Sequence, residues 1–233
     1  MKKYIPNLLT SCSLFSGSIA TVMAFQGEYL WVVIWVIIAA LFDFSDGFAA
    51  RLLKSYSPMG KELDSLSDMV SFGFAPSVAV YTFLTENVTR ISQNQYIVEY
   101  LPYMAFLLTI FSALRLAKFN IDERQTESFI GLNTPANALF WVSLCYGLTY
   151  TAPVITPVLM YTFLAAILVF SSLMVSEIPM FSLKIKSLKL KGNEHRYFLA
   201  VVVIGLFAYI GILGIAGGIL LYIALSIINK EKA

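Results

Sequence analysis

The chain has 233 residues, 58% of them apolar and 13% charged, with a mean hydropathy of +0.76 and a formal net charge of +2. Soluble domains are nearer about 45–50% apolar and about 25% charged. The composition therefore excludes a secreted disulfide scaffold, a disordered chain and an ordinary cytosolic enzyme, and makes the bilayer the solvent. The small net charge, with no basic run interleaved with aromatics, also excludes a nucleic-acid partner.

The opening Met1-Lys2-Lys3-Tyr4-Ile5-Pro6-Asn7 begins like a signal peptide. No small-residue cleavage site follows and Pro6-Asn7 interrupts it, so a retained first span is expected. Apolar stretches then run roughly over 8–25, 29–53, 61–85, 97–117, 134–151, 153–175, 197–211 and 213–229. Each of the first six approaches the ~20 residues needed to cross ~30 Å of hydrocarbon. The region from Tyr197 to Asn229 is long for one span and short for two, and Gly211 and Gly214 offer a turn at its middle. The expected fold is an all-α integral membrane bundle of about eight transmembrane helices. It forms one membrane domain over 1–233, with a basic loop at 176–196 and a helical pair at 197–229. Cys12 and Cys145 sit inside apolar stretches and read as buried thiols.

Eight spans with the N-terminus inside place 15 of the 16 basic residues on inner loops and span ends, leaving Arg90 outside. This asymmetry orients the set, with both termini cytoplasmic. Lys184, Lys186, Lys189 and Lys191 alternate with apolar residues, which suits either a strip on anionic headgroups or a solvated loop. The lone His195 reads as solvated.

The second and third spans carry Asp43, Asp46, Asp64 and Asp68. Each charge costs about 2.5–3.5 kcal/mol inside a bilayer, more in total than Arg51 alone offsets. The intervals of three and four put each pair on one helical face. The short segment Leu52–Met59, with Ser55, Ser57 and Pro58, reads as the turn between two antiparallel neighbours. A cluster of hard oxygen ligands selects Mg²⁺ or Mn²⁺, and the lack of His or Cys argues against zinc. Gly47, Ala50 and Gly60 share the acidic faces. They permit either close helix packing or room for a ligand. Arg51 is placed to meet a phosphate.

Together these residues read Asp43-x-x-Asp46-Gly47-x-x-Ala50-Arg51, then eight residues, then Gly60-x-x-x-Asp64-x-x-x-Asp68. The pattern resembles the signature of the CDP-alcohol phosphatidyltransferases, membrane enzymes that move a phosphatidyl group from CDP-diacylglycerol to an alcohol. Residues 1–175 would then be the catalytic core. The resemblance implies two divalent cations, with Asp43, Asp46 and Asp64 as principal ligands and Asp68 as a ligand that doubles as general base. It further implies CDP-diacylglycerol contacts from Asn7, Thr10, Gly47, Ala50, Arg51 and Gly60, direct displacement of CMP, and a homodimer.

The acceptor rests on other blocks. Ile5-Pro6-Asn7-Leu8-Leu9-Thr10 is similar to the start of the first helix in this family. Ala113-Leu114-Arg115-Leu116-Ala117-Lys118-Phe119-Asn120, Phe129-Ile130-Gly131-Leu132-Asn133-Thr134-Pro135-Ala136 and the 173–184 segment resemble the integral-membrane phosphatidylserine synthases. Lys118 and Asn133 depart from the residues usual there. The resemblance implies L-serine as acceptor, with Arg115, Lys118, Asn120 and Thr134 around it. Lys118 reads equally as a snorkelling anchor, and Thr134 as a helix N-cap before Pro135. Two alternatives remain: the same chemistry with glycerol 3-phosphate or an inositol phosphate, and a divalent-cation transporter. The transporter reading lacks a second acidic motif to mirror the first.

Overall fold

The computed structural model describes residues 4–122, 129–151, 155–181 and 193–228. Lys184, Lys186, Lys189 and Lys191 lie outside the described residues. Helix α1 (Ile5–Phe25) has Pro6 in its first turn, where a missing N–H costs nothing. Helix α2 (Tyr29–Leu53) ends at Lys54 in the left-handed region, φ 49°. The chain reverses over Ser55–Ser57 and enters α3 (Pro58–Asp68), with Pro58 as its first residue and Ser57 Oγ accepting from the Gly60 N–H at 3.0 Å. A π-helical turn, Met69–Phe74, joins α3 to α4 (Ala75–Asn87) without a break in the rod.

A fourth rod comprises α5 (Gln95–Tyr100), a 3₁₀ turn over Leu101–Ala105 and α6 (Phe106–Ile121). Then follow α7 (Thr134–Tyr150), α8 (Pro157–Val175), α9 (Glu194–Ile210) and α10 (Leu213–Ile228), the last two joined at Gly211. The result is an all-α polytopic membrane protein, as the apolar stretches predict. Ile5–Phe25, Tyr29–Leu53, Gln95–Ile121 and Pro157–Val175 are each long and apolar enough to cross a bilayer. The third rod differs from the sequence expectation at its start: α3 carries Lys61, Glu62, Asp64 and Asp68, so its apolar part begins only at Met69.

Helix α7 runs through the centre, with Trp141 fully buried and its indole N–H donating to Asn137 Oδ1 at 3.1 Å. Phe140, Phe163 and Phe170 pack around that ring, and Phe83 packs in turn on Phe163. On the other side, α1 lies against α2 and the third rod through small side chains. A Cβ at Gly17 would run into Ser71, so the backbones approach more closely than any larger residue allows. Ser13 Oγ donates to the Ala39 carbonyl at 3.0 Å and Ser71 Oγ to the Ser13 carbonyl at 3.1 Å. These bonds fix three helices that would otherwise slide past one another in an apolar medium. Cys12 is half-buried and Cys145 buried, both as free thiols.

A two-residue strand pair sits where α6 returns to α7. Strand β1 (Phe129–Ile130) runs antiparallel to β2 (Pro179–Met180), with Phe129 opposite Met180. Gly131 follows at φ 76°, its N–H donating to the Ile178 carbonyl at 2.8 Å. A Cβ there would lie 2.6 Å from the Met174 carbonyl oxygen, so only glycine fits. The clasp ties the start of α7 to the exit of α8.

Candidate active site

The turn between α2 and α3 brings the two acidic faces together. Carboxylate oxygens of Asp43, Asp64 and Asp68 lie within 4.8 Å of one another. Asp68 Oδ1 is buried and accepts no hydrogen bond among the described residues. Three ionised carboxylates this close repel one another unless a cation or a proton lies among them, and a buried oxygen without a protein donor fits a cation ligand. The donor set is entirely oxygen, which suits a hard divalent cation. Asp46 stands apart from this trio. It is 6% exposed, and its Oδ2 accepts from the Thr10 hydroxyl at 2.5 Å.

Two cavities meet at the acids. The first, about 230 Å³, is walled by Pro6, Asn7 and Thr10 of α1, Asp46, Gly47 and Ala50 of α2, and Gly60, Lys61 and Asp64 of α3. It therefore gathers Asn7, Thr10, Gly47, Ala50 and Gly60, five of the six residues the sequence assigns to CDP-diacylglycerol. Arg51 is the exception: it sits in the exposed last turn of α2 and does not wall the cavity. Its Nη1 nevertheless lies only 3.6 Å from where a Gly47 Cβ would stand. Ser55, Tyr56 and Ser57 complete the wall. The sequence marks them only as turn residues.

The second cavity, about 220 Å³, is walled by Asp43, Asp64 and Asp68 on one side and by Arg115, Phe119, Asn120, Asn133 and Pro135 on the other. Asp64 borders both cavities. Arg115 is 6% exposed, its guanidinium 5.3 Å from the centroid of the Phe119 ring. Asn120 ties α6 to α3: its Nδ2 donates to Ser65 Oγ at 2.8 Å and its carbonyl accepts from Lys61 Nζ at 2.9 Å.

Two expected acceptor-site residues stand elsewhere. Lys118 pairs with Glu177 and donates to the Val175 carbonyl at 3.3 Å, so it clamps the exit of α8 instead of walling the cavity. Thr134 is fully buried as the first residue of α7, and the N-cap is Asn133, whose Oδ1 accepts from the Ala136 N–H at 2.8 Å. Helical phase turns Thr134 inward and leaves Asn133 on the cavity wall.

Comparison with known proteins agrees with this architecture. A family model described as CDP-alcohol phosphatidyltransferase matches residues 3–180, and the chain belongs to that family. Among curated relatives, a CDP-diacylglycerol–serine O-phosphatidyltransferase of Helicobacter pylori is 33% identical over 204 residues, covering 86% of this chain and 80% of its own. The protein of that name from Bacillus subtilis is 32% identical over 147 residues, 61% of this chain and 76% of its own. An archaetidylserine synthase of Methanothermobacter thermautotrophicus is 29% identical over 138 residues, 58% of this chain and 54% of its own. The chain is thus a membrane-embedded transferase of phospholipid biosynthesis.

Proposed function

We propose that the chain transfers the phosphatidyl group of CDP-diacylglycerol to L-serine, giving phosphatidylserine and CMP. The observation that carries this reading is the meeting of two different cavities at Asp64. One has Gly47, Ala50 and Gly60 in its wall and the other faces an arginine across the acid trio. The names of the relatives support serine as the acceptor.

The first cavity admits the cytidine diphosphate portion, because Gly47, Ala50 and Gly60 leave part of its wall without bulk. Asp43, Asp46, Asp64 and Asp68 would hold two divalent cations, Mg²⁺ or Mn²⁺. When bound, these supply charge neutralisation for the pyrophosphate and for the departing CMP. In the second cavity the Arg115 fork meets the serine carboxylate. Asn120 and Asn133 offer polar groups beside it. The serine hydroxyl is a poor nucleophile near neutral pH, and Asp68 accepts its proton as it attacks. The hydroxyl oxygen forms a bond to the phosphorus that carries diacylglycerol, and the bond from that phosphorus to CMP breaks. No covalent enzyme intermediate is required. The basic asymmetry of the sequence orients the site and both termini to the cytoplasmic side of the cell membrane. Serine and nucleotide then reach the site from water and the acyl chains from the inner leaflet. Residues 1–175 act as the catalytic core, and the family resemblance supports a homodimer.

Arg115→Ala tests the acceptor pocket. The expected result is a serine KM raised about tenfold to a hundredfold, with the CDP-diacylglycerol KM changed less than about threefold, because removing one charge-assisted bond affects only the ligand it holds. Equal changes in both constants would remove Arg115 from the acceptor pocket.

A further inference from the structure

Thr10 occupies an unusual position for a residue on the wall of a nucleotide cavity. It is 3% exposed, and its single hydroxyl proton has two acceptors in reach: the Pro6 carbonyl at 3.0 Å and Asp46 Oδ2 at 2.5 Å. The carboxylate is both nearer and the stronger acceptor, so it takes the proton. An aspartate carboxylate otherwise turns freely about its last torsion, which has broad, roughly two-fold wells. Here one oxygen is tied to α1, and Asp46 borders the cavity it shares with Asp64. The Thr10 carbonyl, in turn, accepts from Ser67 Oγ at 3.2 Å, and Ser67 is 1% exposed beside Asp68. One residue of α1 therefore touches both acid-bearing helices, by its side chain on α2 and by its backbone on α3.

We propose that Thr10 is a positioning residue for the metal site, its hydroxyl fixing the Asp46 carboxylate in the orientation that a cation meets. The inference rests on the reading of the four aspartates as holders of divalent cations. It gives Thr10 a carboxylate as its partner in place of the nucleotide. Outer partners of this kind are worth about 10–100-fold in metal affinity. The side-chain bond to Asp46 and the backbone bond from Ser67 can be cut separately, which distinguishes orientation of the acid from packing of the helices.

The test is a titration of the full-length, detergent-solubilised protein with MnCl₂, followed by the electron paramagnetic resonance signal of free Mn²⁺. It compares wild type with Thr10→Val, Thr10→Ser and Ser67→Ala. Thr10→Val keeps the shape and removes the hydroxyl, and its Mn²⁺ affinity is expected to fall about 10–100-fold. Thr10→Ser and Ser67→Ala are expected within about threefold of wild type, below the range an outer-shell partner commands. Wild-type affinity in Thr10→Val, or an equal loss in Ser67→Ala, overturns the inference. Where Thr10→Val yields no folded protein, Thr10→Ala takes its place: a loss of about tenfold or more supports the hydroxyl bond, and wild-type affinity overturns it. Wild-type protein that binds no Mn²⁺ overturns the reading of the aspartates itself, an outcome distinct from wild-type binding that Thr10→Val leaves unchanged.

Discussion

Asp68→Asn is expected to reduce turnover by about 10²–10⁴-fold, the range a positioned general base contributes. CDP-diacylglycerol affinity should stay within about tenfold of wild type, because an interaction made as the proton moves costs kcat and not ground-state binding. The structure motivates this split. Asp68 faces Arg115, Asn120 and Asn133 across the second cavity and does not wall the first. Its Oδ1 is buried and accepts no hydrogen bond among the described residues, so no described donor competes for it with a cation or a substrate hydroxyl. Single-turnover assays with a separate nucleotide-binding measurement resolve the two effects. Loss of CDP-diacylglycerol binding in step with turnover would make Asp68 chiefly a ligand.

Asp64→Asn should be costlier and less selective. Asp64 is the acid that borders both cavities, and it belongs to the trio whose oxygens lie within 4.8 Å. Removing its charge weakens the cation site and misaligns the two substrates together. Turnover should fall by more than the about 10²–10³-fold that loss of a single transition-state contact costs, because both substrates are affected. It should also raise the Mn²⁺ concentration needed for activity by about tenfold or more, and by more than Asp68→Asn does. A variant that keeps wild-type metal dependence would place the metal elsewhere in the cluster. The two substitutions, measured side by side, separate proton transfer from metal holding.

Much of this arrangement is legible in the residues themselves. Intervals of three and four predict one acidic face on each helix. Ser55, Ser57 and Pro58 predict the turn that makes the helices neighbours, and the small residues predict a wall without bulk. Local pattern carries that information because it depends on helical phase alone. What phase cannot supply is the tilt between α2 and α3. The four acids accordingly read as one cluster, whereas Asp46 stands with Thr10 and the other three stand together. Lys118 illustrates a second limit, because its partner Glu177 is 59 residues away and no local pattern announces it.

The start of α7 shows a third limit. Asn133 and Thr134 are both good caps, and the choice between them depends on how the β1–β2 clasp feeds the chain into the helix. Two-residue strands have no period to read. The π-helical turn at Met69–Phe74 is likewise silent in sequence, yet it follows Asp68 directly, and such turns recur at functional positions in helices. The wall from α6 and α7 exists only in the folded chain, which is why the proposed serine contacts are the least legible part of the site.

The most direct measurement is CMP release from CDP-diacylglycerol by the purified, detergent-solubilised protein. L-serine, glycerol 3-phosphate and an inositol phosphate are offered separately, each with Mn²⁺, Mg²⁺ or a chelator. Release that requires both a divalent cation and L-serine, with phosphatidylserine as the lipid product, is the predicted result. Release with a different alcohol would keep the four-aspartate chemistry and contradict the assignment of Arg115 to a serine carboxylate. Folded protein that releases no CMP with any acceptor would contradict the account at its centre.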